Sequence, residues 1–521
     1  MSWCEEGETN ALSATRSPLS SEEANMNVLL VLIDSLNRHH LPAYGQSPVF
    51  TPNLDRFASR ALRFDNHFVG SLPCMPARRE IFSGHKEMMW RPWGPLEPYD
   101  ARLPRLLEEK GYSTAIVTDH YHYWEEEANG YIQSFQGTKL IRGHEVDFWK
   151  QPISDDEPVP RWVENIEKWR PGDWGRRYYA NIKDFEGEED FFPAKVMKGA
   201  VGWLEENSQK VPFFLQVESF DVHEPFHVPE PYASMYGDGS ERDKFTLWPP
   251  YQDTEQLRRF VSTASAEEIE YIRSQYYGKL TMVDRWFGKL LDKLDELSLW
   301  EHTMVVVTTD HGHDLGERGV FGKRYPHFDT HANIPMFVWH PEYPGDGRSI
   351  AALTSTVDLF ATALGAAGVP ISDHTHSKSF MPLLKDEDNG CEALLYGTFG
   401  QGVCCTDGEW TLFKSPERGK PLYYYSSMIF KSLTTNSVNS AESSGYFVPG
   451  VDLTQWQVPV EVEPLSQEDF LFHRAEDPGQ KENLWKAEPQ QRNRMLGVMR
   501  DLLAEEGTPD EQYARLGIDA K

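Results

Sequence analysis

Four uninterrupted apolar runs, each of strand length and each opening onto polar residues, restrict this chain more than any other feature. Asn27–Ile33 gives way to Asp34, and Thr114–Val117 is followed by Asp119, His120 and His122. Pro212–Glu218 leads to His223, and Met304–Thr309 passes straight into Asp310, His311 and Gly312. Runs that are apolar without alternation belong to strands covered on both faces, as in a parallel sheet with helices on either side. Such sheets gather ligands beyond the carboxyl ends of their strands, so Asp34, His120, His122, His223, Asp310 and His311 are expected to share one crevice. Helical stretches fit between: Leu103–Lys110 stopped at Gly111, and Tyr276–Leu297 with Leu280, Val283, Phe287, Leu290, Leu291 and Leu294 on one face. Val357–Gly368 reads as a further helix.

The segment from Asn66 to Gly84 carries a second signal, Pro73-Cys74-x-Pro76-x-Arg78. Pro76 suits a first helical turn, where its missing N–H is no loss. Cys74 then stands at a helix N-terminus, a setting expected to lower a thiol pKa and to collect an anion. Arg78, one turn on, can return to the same face. Taken alone, Cys74 also reads as a buried structural cysteine.

In context, Cys74, Pro76 and Arg78 resemble the Cys-x-Pro-x-Arg signature of type I sulfatases, members of the alkaline phosphatase superfamily. Further similarities run in the family's order: Thr51–Ala58, His223-Glu224-Pro225, the strand end Thr309-Asp310-His311-Gly312, Gly322-Lys323, Ile334-Pro335, and Leu471–Leu484. The resemblance implies a large mixed, mostly parallel α/β sheet flanked by helices, alkaline phosphatase-like, with a smaller C-terminal α+β domain. It implies oxidation of Cys74 to formylglycine by formylglycine-generating machinery, and hydrolysis of a sulfate ester of a small molecule or carbohydrate by the formylglycine hydrate. It further implies one divalent metal, calcium or manganese, held by Asp34, Cys74, Asp310 and His311, with Arg78, His223 and Lys323 on the sulfate oxygens. The family's usual Gly-Lys-Trp-His is missing; His120 and His122 stand there and are read as proton donor and cation, or as ordinary paired histidines. Ser35 follows Asp34 where most sulfatases carry a second acid, and His311 replaces the usual Asn, which makes manganese a serious rival to the family's calcium. Relatives with an Asp-His metal pair act on phosphonate monoesters or phosphodiesters, which is the alternative activity. A non-catalytic metal-binding scaffold is the third.

With 521 residues the chain exceeds one core, and it is divided here into a tail 1–25, a catalytic domain 26–385 and a subdomain 386–521. The subdomain is expected to be a small antiparallel sheet with one helix, and Ser426–Ser444 an exposed loop. Lys and Arg number 51 against 81 Asp and Glu, a net charge of −30, which argues against nucleic acid or an anionic membrane as partner. Five cysteines form neither a disulfide framework nor a zinc pattern. Residues 1–25 lack the basic start and apolar core of a signal peptide, giving the expectation of a soluble, cytoplasmic protein and, possible for any such enzyme, a homo-oligomer. Residues 121–192 hold Trp124, Trp149, Trp162, Trp169 and Trp174 and read as a packed insertion without assigned function.

Overall fold

A computed structural model describes residues 26–125, 128–209, 212–251, 254–372, 374–428 and 441–519, so the tail expected over 1–25 lies outside the described residues. At its centre, β1 (Asn27–Ile33) is flanked in parallel by β6 (Phe213–Ser219) and β7 (Thr303–Thr308). The sheet continues on one side through β4 (Ser113–Thr118) and β5 (Gly137–Leu140). On the other side stand β10 (Met336–Trp339), β2 (Leu62–Phe68) and β11 (Ser349–Ser355). Of these strands β10 alone runs antiparallel to its neighbours. The alternation of β1 splits its side chains between two cores. Leu29, Val31 and Ile33 pack under the 31-residue helix Ala266–Glu296, while Val28, Leu30 and Leu32 pack with Met75, Ile81 and Phe82 of the helix Cys74–Ser83. Both faces are therefore covered, which is why the strand reads as continuously apolar.

Register fixes where the polar ends fall. Leu32 pairs with Glu218 and with Thr308, and Thr118 pairs with Glu218, so four parallel strands finish in one row. Asp34, Asp119 and Asp310 lie just beyond that row.

A second sheet joins β12 (Leu394–Thr398), β13 (Val403–Thr406), β14 (Trp410–Lys414) and β18 (Phe470–His473) in antiparallel order. Its edge is completed from the catalytic part: β3 (Ser71–Leu72), immediately before Pro73-Cys74, runs parallel to β12. Two helices, Pro489–Glu505 and Asp510–Leu516, follow the sheet, where one was expected. The expected loop at 426–444 is also corrected at its margins: Ser426 ends β15 (Tyr423–Ser426), and β16 (Ser443–Gly445) pairs with β17 (Gln455–Pro459). Its centre, 429–440, lies outside the described residues. Among the described residues no helix is long and apolar enough to cross a membrane.

Candidate active site

The sheet's carboxyl edge gathers Asp34, Cys74, Asp310 and His311, whose ligand atoms all lie within 4.8 Å of one another with every side chain buried. Asp34 leaves β1 and Asp310 leaves β7, its strand neighbour, so adjacency in the sheet brings two carboxylates together across most of the sequence. Cys74 opens the helix Cys74–Ser83, and its Sγ is 3.2 Å from His311 Nε2. The His311 ring is set by its other nitrogen: Nδ1 donates to the Gly312 carbonyl at 2.9 Å, which leaves Nε2 with a lone pair facing the cluster.

Arg78 does not face the cavity described below, contrary to the expectation that it holds substrate oxygens. It is fully buried among carboxylates: Nη2 to Asp34 at 2.8 Å, Nη1 to Asp310 at 2.5 Å and Nε to Glu218 at 2.5 Å. A fourth bond, Nη1 to the Cys74 carbonyl at 3.0 Å, is the return of one helical turn. Three carboxylates thus converge on one guanidinium. Burial, then Asp310, pushes the Asp34 carboxyl well above its usual range, while Asp310, opposed by burial, is held low by His311 and Arg78. One cation does not balance this set, and a bare imidazole nitrogen faces it. A divalent cation fits both observations, with Asp34, Asp310, His311 and residue 74 as its holders. The Ser35 hydroxyl is turned to Asp34 Oδ1 at 2.8 Å.

The thiol itself departs from expectation. Burial pushes Cys74 well above the ordinary cysteine range, and Lys323 opposes this without reversing it. Enclosure outweighs the helix N-terminus, so the unmodified residue is held as a neutral thiol.

Above Cys74 opens a cavity of ≈ 500 Å³, whose polar lining includes His122, Glu125, Glu145, His223 and Lys323. Lys323 Nζ is buried without a hydrogen-bond partner. Burial works against its charge, but Cys74, Tyr251, Glu224 and Asp34 outweigh that and keep its pKa high. His223 Nδ1 donates to the Glu224 carbonyl at 2.8 Å, and burial holds the ring neutral, leaving Nε2 as an acceptor. Its loop is pinned by Lys279 of the long helix, which bonds the carbonyls of His223 at 2.9 Å and Pro225 at 2.7 Å and pairs with Asp221.

The two histidines after β4 part company. His120 is fully buried, 3.6 Å from Asp34, and is absent from the cavity lining. His122 lines the cavity, with Nδ1 on Glu125 at 2.6 Å and Nε2 3.8 Å from Glu145. Burial, then Glu224, lifts Glu145 to about 8.

Sequence reasoning missed Glu218, Glu125, Glu145, Tyr251 and Trp174. Glu218 carried a readable signal, a carboxylate at the end of an apolar run. The others come from segments with no strand pattern, three of them, Glu125, Glu145 and Trp174, from the insertion at 121–192, which lines the cavity with these residues and Val146.

This sheet order sets a metal-fitting cluster beneath a cavity lined by Lys323 and His223 at its carboxyl edge, and solved structures of the alkaline phosphatase-like architecture share the fold. The family model Sulfatase matches residues 26–369; the chain belongs to the sulfatase family of the alkaline phosphatase superfamily and is a sulfuric ester hydrolase. It is 24% identical over 410 residues to iduronate 2-sulfatase of Mus musculus, covering 68% of this chain and 71% of that protein. It is 22% identical over 450 residues to an arylsulfatase of Clostridium perfringens, covering 80% and 91%. The solved phosphonate monoester hydrolase of Agrobacterium radiobacter shares the fold with a TM-score of 0.63 at 18% identity, covering 92% of this chain and 95% of that one. Membership implies a divalent metal and a formylglycine, and the Cys/Asp/His cluster fits the metal site.

Proposed function

We propose that this protein hydrolyses a sulfate ester of a small-molecule or carbohydrate alcohol, with residue 74, as formylglycine, at the point of attack. Lys323 carries the reading: a buried ammonium with the Tyr251 ring 5.5 Å away but no hydrogen-bond partner lines the same cavity as Cys74 and His223. Such a group is costly unless an anion completes it, and the ester's sulfate is that anion.

As formylglycine, residue 74 would supply a hydrated aldehyde, with one hydroxyl for attack on sulfur and a second that would permit release of sulfate. Asp34, Asp310, His311 and residue 74 would hold a divalent cation, which would supply charge neutralisation and a lowered nucleophile pKa. Lys323 holds the sulfate oxygens and stabilises the charge that grows on them in the transition state. Arg78, rather than touching substrate, keeps Asp34 and Asp310 aimed at one point. His223 offers Nε2 to take a proton, since its Nδ1–H is committed to the Glu224 carbonyl. The departing alkoxide takes its proton from the pair His122 and Glu145, which Glu125 orients through His122 Nδ1. His120, behind Asp34, is a positioning residue.

The donor set contains an imidazole and lacks a second acid after Asp34, which favours manganese over calcium. Metal analysis of protein purified without added salts, then chelation and re-addition, tests this: recovery with manganese is expected, and recovery with calcium alone overturns the preference. The reading as a whole is tested by mass spectrometry of the peptide containing residue 74, which is expected to have lost its sulfur, and by kcat/KM across sulfate esters and phosphodiesters. A second reading, phosphonate monoester or phosphodiester hydrolysis at the same site, is favoured by the Asp310-His311 pair and by the fold shared with a phosphonate monoester hydrolase. Higher kcat/KM on phosphodiesters selects it.

A further inference from the structure

One side chain of the long helix reaches the loop that follows Asp34 and has no part in the mechanism above. Tyr276 stands one turn before Leu280, on the face that packs with Leu29, Val31 and Ile33 of β1, and it is fully buried. Its hydroxyl donates to the Ser35 carbonyl at 2.9 Å and accepts from Asn37 N at 3.0 Å, so it grips the chain on both sides of Leu36. Neither direction is open to choice. A carbonyl only accepts and an amide N–H only donates, and burial pushes the Tyr276 pKa up, so its hydrogen stays in place.

The chain so gripped is strained. Ser35 has φ 60°, in the left-handed region that a serine keeps only where its surroundings hold it. Three successive N–H groups of the loop are taken up: Ser35 N by Asp310 Oδ1 at 3.4 Å, Leu36 N by Thr309 Oγ1 at 3.2 Å, and Asn37 N by Tyr276. The Ser35 hydroxyl lies 2.8 Å from Asp34 Oδ1. Arg78 meanwhile bonds Oδ2 of both Asp34 and Asp310. Each carboxylate is therefore fixed at both oxygens, Oδ2 by Arg78 and Oδ1 by Ser35. Arg78 is placed by the cysteine helix, whereas Ser35 keeps its pose through Tyr276.

We propose that Tyr276 is a positioning residue of the metal site, acting through Ser35 to hold Asp34 and Asp310 in the pose that retains a divalent cation; this rests on the metal reading of the cluster given above. Ser35 then serves as a bracket for two ligands and not as a ligand. Carboxylates free to swing must be ordered again each time an ion is bound, which is why groups one bond removed from the ligands set affinity.

The Mn2+ dissociation constant of the whole protein, measured by competition with a chelating dye and accompanied by circular dichroism, tests this. Tyr276→Phe keeps the ring against Phe226 and His313 and removes only the hydroxyl. It is expected to raise the constant about tenfold or more with the fold retained. Ser35→Ala should raise it too. The double variant should lose no more than the larger single loss, because the two residues act as one unit. An unchanged constant in folded Tyr276→Phe, or losses that add in the double variant, overturns the role of Tyr276 while leaving the metal site standing. Should the Phe variant not fold, Ser35→Ala decides, and an unchanged constant there overturns the proposal. If the wild type holds Ca2+ in place of Mn2+, the same comparison is read with Ca2+. A wild type that binds neither ion overturns the metal reading and this role together.

Discussion

The floor of the site and the wall of the cavity above it are built on opposite plans. The floor, Asp34, Arg78, Glu218 and Asp310, is fully buried, consists of ionisable side chains bonded to one another and hangs from strand ends and one helix. The wall, with His122, Glu125, Glu145, Trp174, Tyr251 and Thr398, is drawn mostly from loops and from the insertion. The floor's charges depend on one another, so removing one strands the rest. The wall's residues line open space, joined only in small groups such as His122 with Glu125. Changes in the floor should therefore cost stability and activity together, and changes in the wall activity alone.

The largest expected effect is that of Cys74→Ala, which should reduce turnover to background while circular dichroism stays native; retained turnover would remove residue 74 from the chemistry. Next comes Arg78→Ala, leaving three carboxylates facing one another without water. Breaking a buried ion pair in this way should lower unfolding stability by about 3–5 kcal/mol, read by chemical denaturation, as well as abolish activity. A stable Arg78→Ala protein would break the comparison. Lys323→Ala should slow turnover about a hundredfold, the loss of one contact aimed at transition-state charge, with little change in stability.

The smallest effect belongs to Glu145→Gln. Glu145 is lifted from 4.5 to about 8, chiefly by burial, so it keeps its proton up to that pH and serves as a donor below it. Rates on esters with poor leaving groups should fall as pH rises through about 8, and the Gln variant should lose that limb and about tenfold in rate on those esters alone. The stability effect has a defined sign. Between pH 4.5 and about 8 the unfolded chain releases a proton that the folded one retains, so stability declines with rising pH. Replacement by Gln should flatten that decline.

The contrast also explains what the sequence disclosed. Asp34, Asp310 and His311 were legible because apolar runs locate strand ends, and parallel strands bring those ends together. Cys74 was legible through its motif, yet two statements about that motif changed. Helix geometry returns Arg78 toward Cys74, but three carboxylates, one of them the unnoticed Glu218, draw the guanidinium away from the cavity. The helix N-terminus favours a thiolate, but enclosure dominates. The wall was illegible for a physical reason. Glu145, Trp174 and Thr398 converge through tertiary packing of segments with no shared periodicity, and no local pattern marks that meeting. His120 and His122 looked equivalent in sequence and were separated by a turn of chain that points one inward and the other at the ligand.

The pairing of Ser71–Leu72 with Gly397–Thr398 has a consequence for the order in which the protein comes into being. The strand that fastens the cysteine segment to the second sheet leaves the ribosome more than three hundred residues after it. At roughly 5–20 residues per second, that delay is on the order of half a minute. During it, the thiol that the finished fold encloses has no lid from the second sheet, so its accessibility on the growing chain is set by chain length rather than by the folded structure.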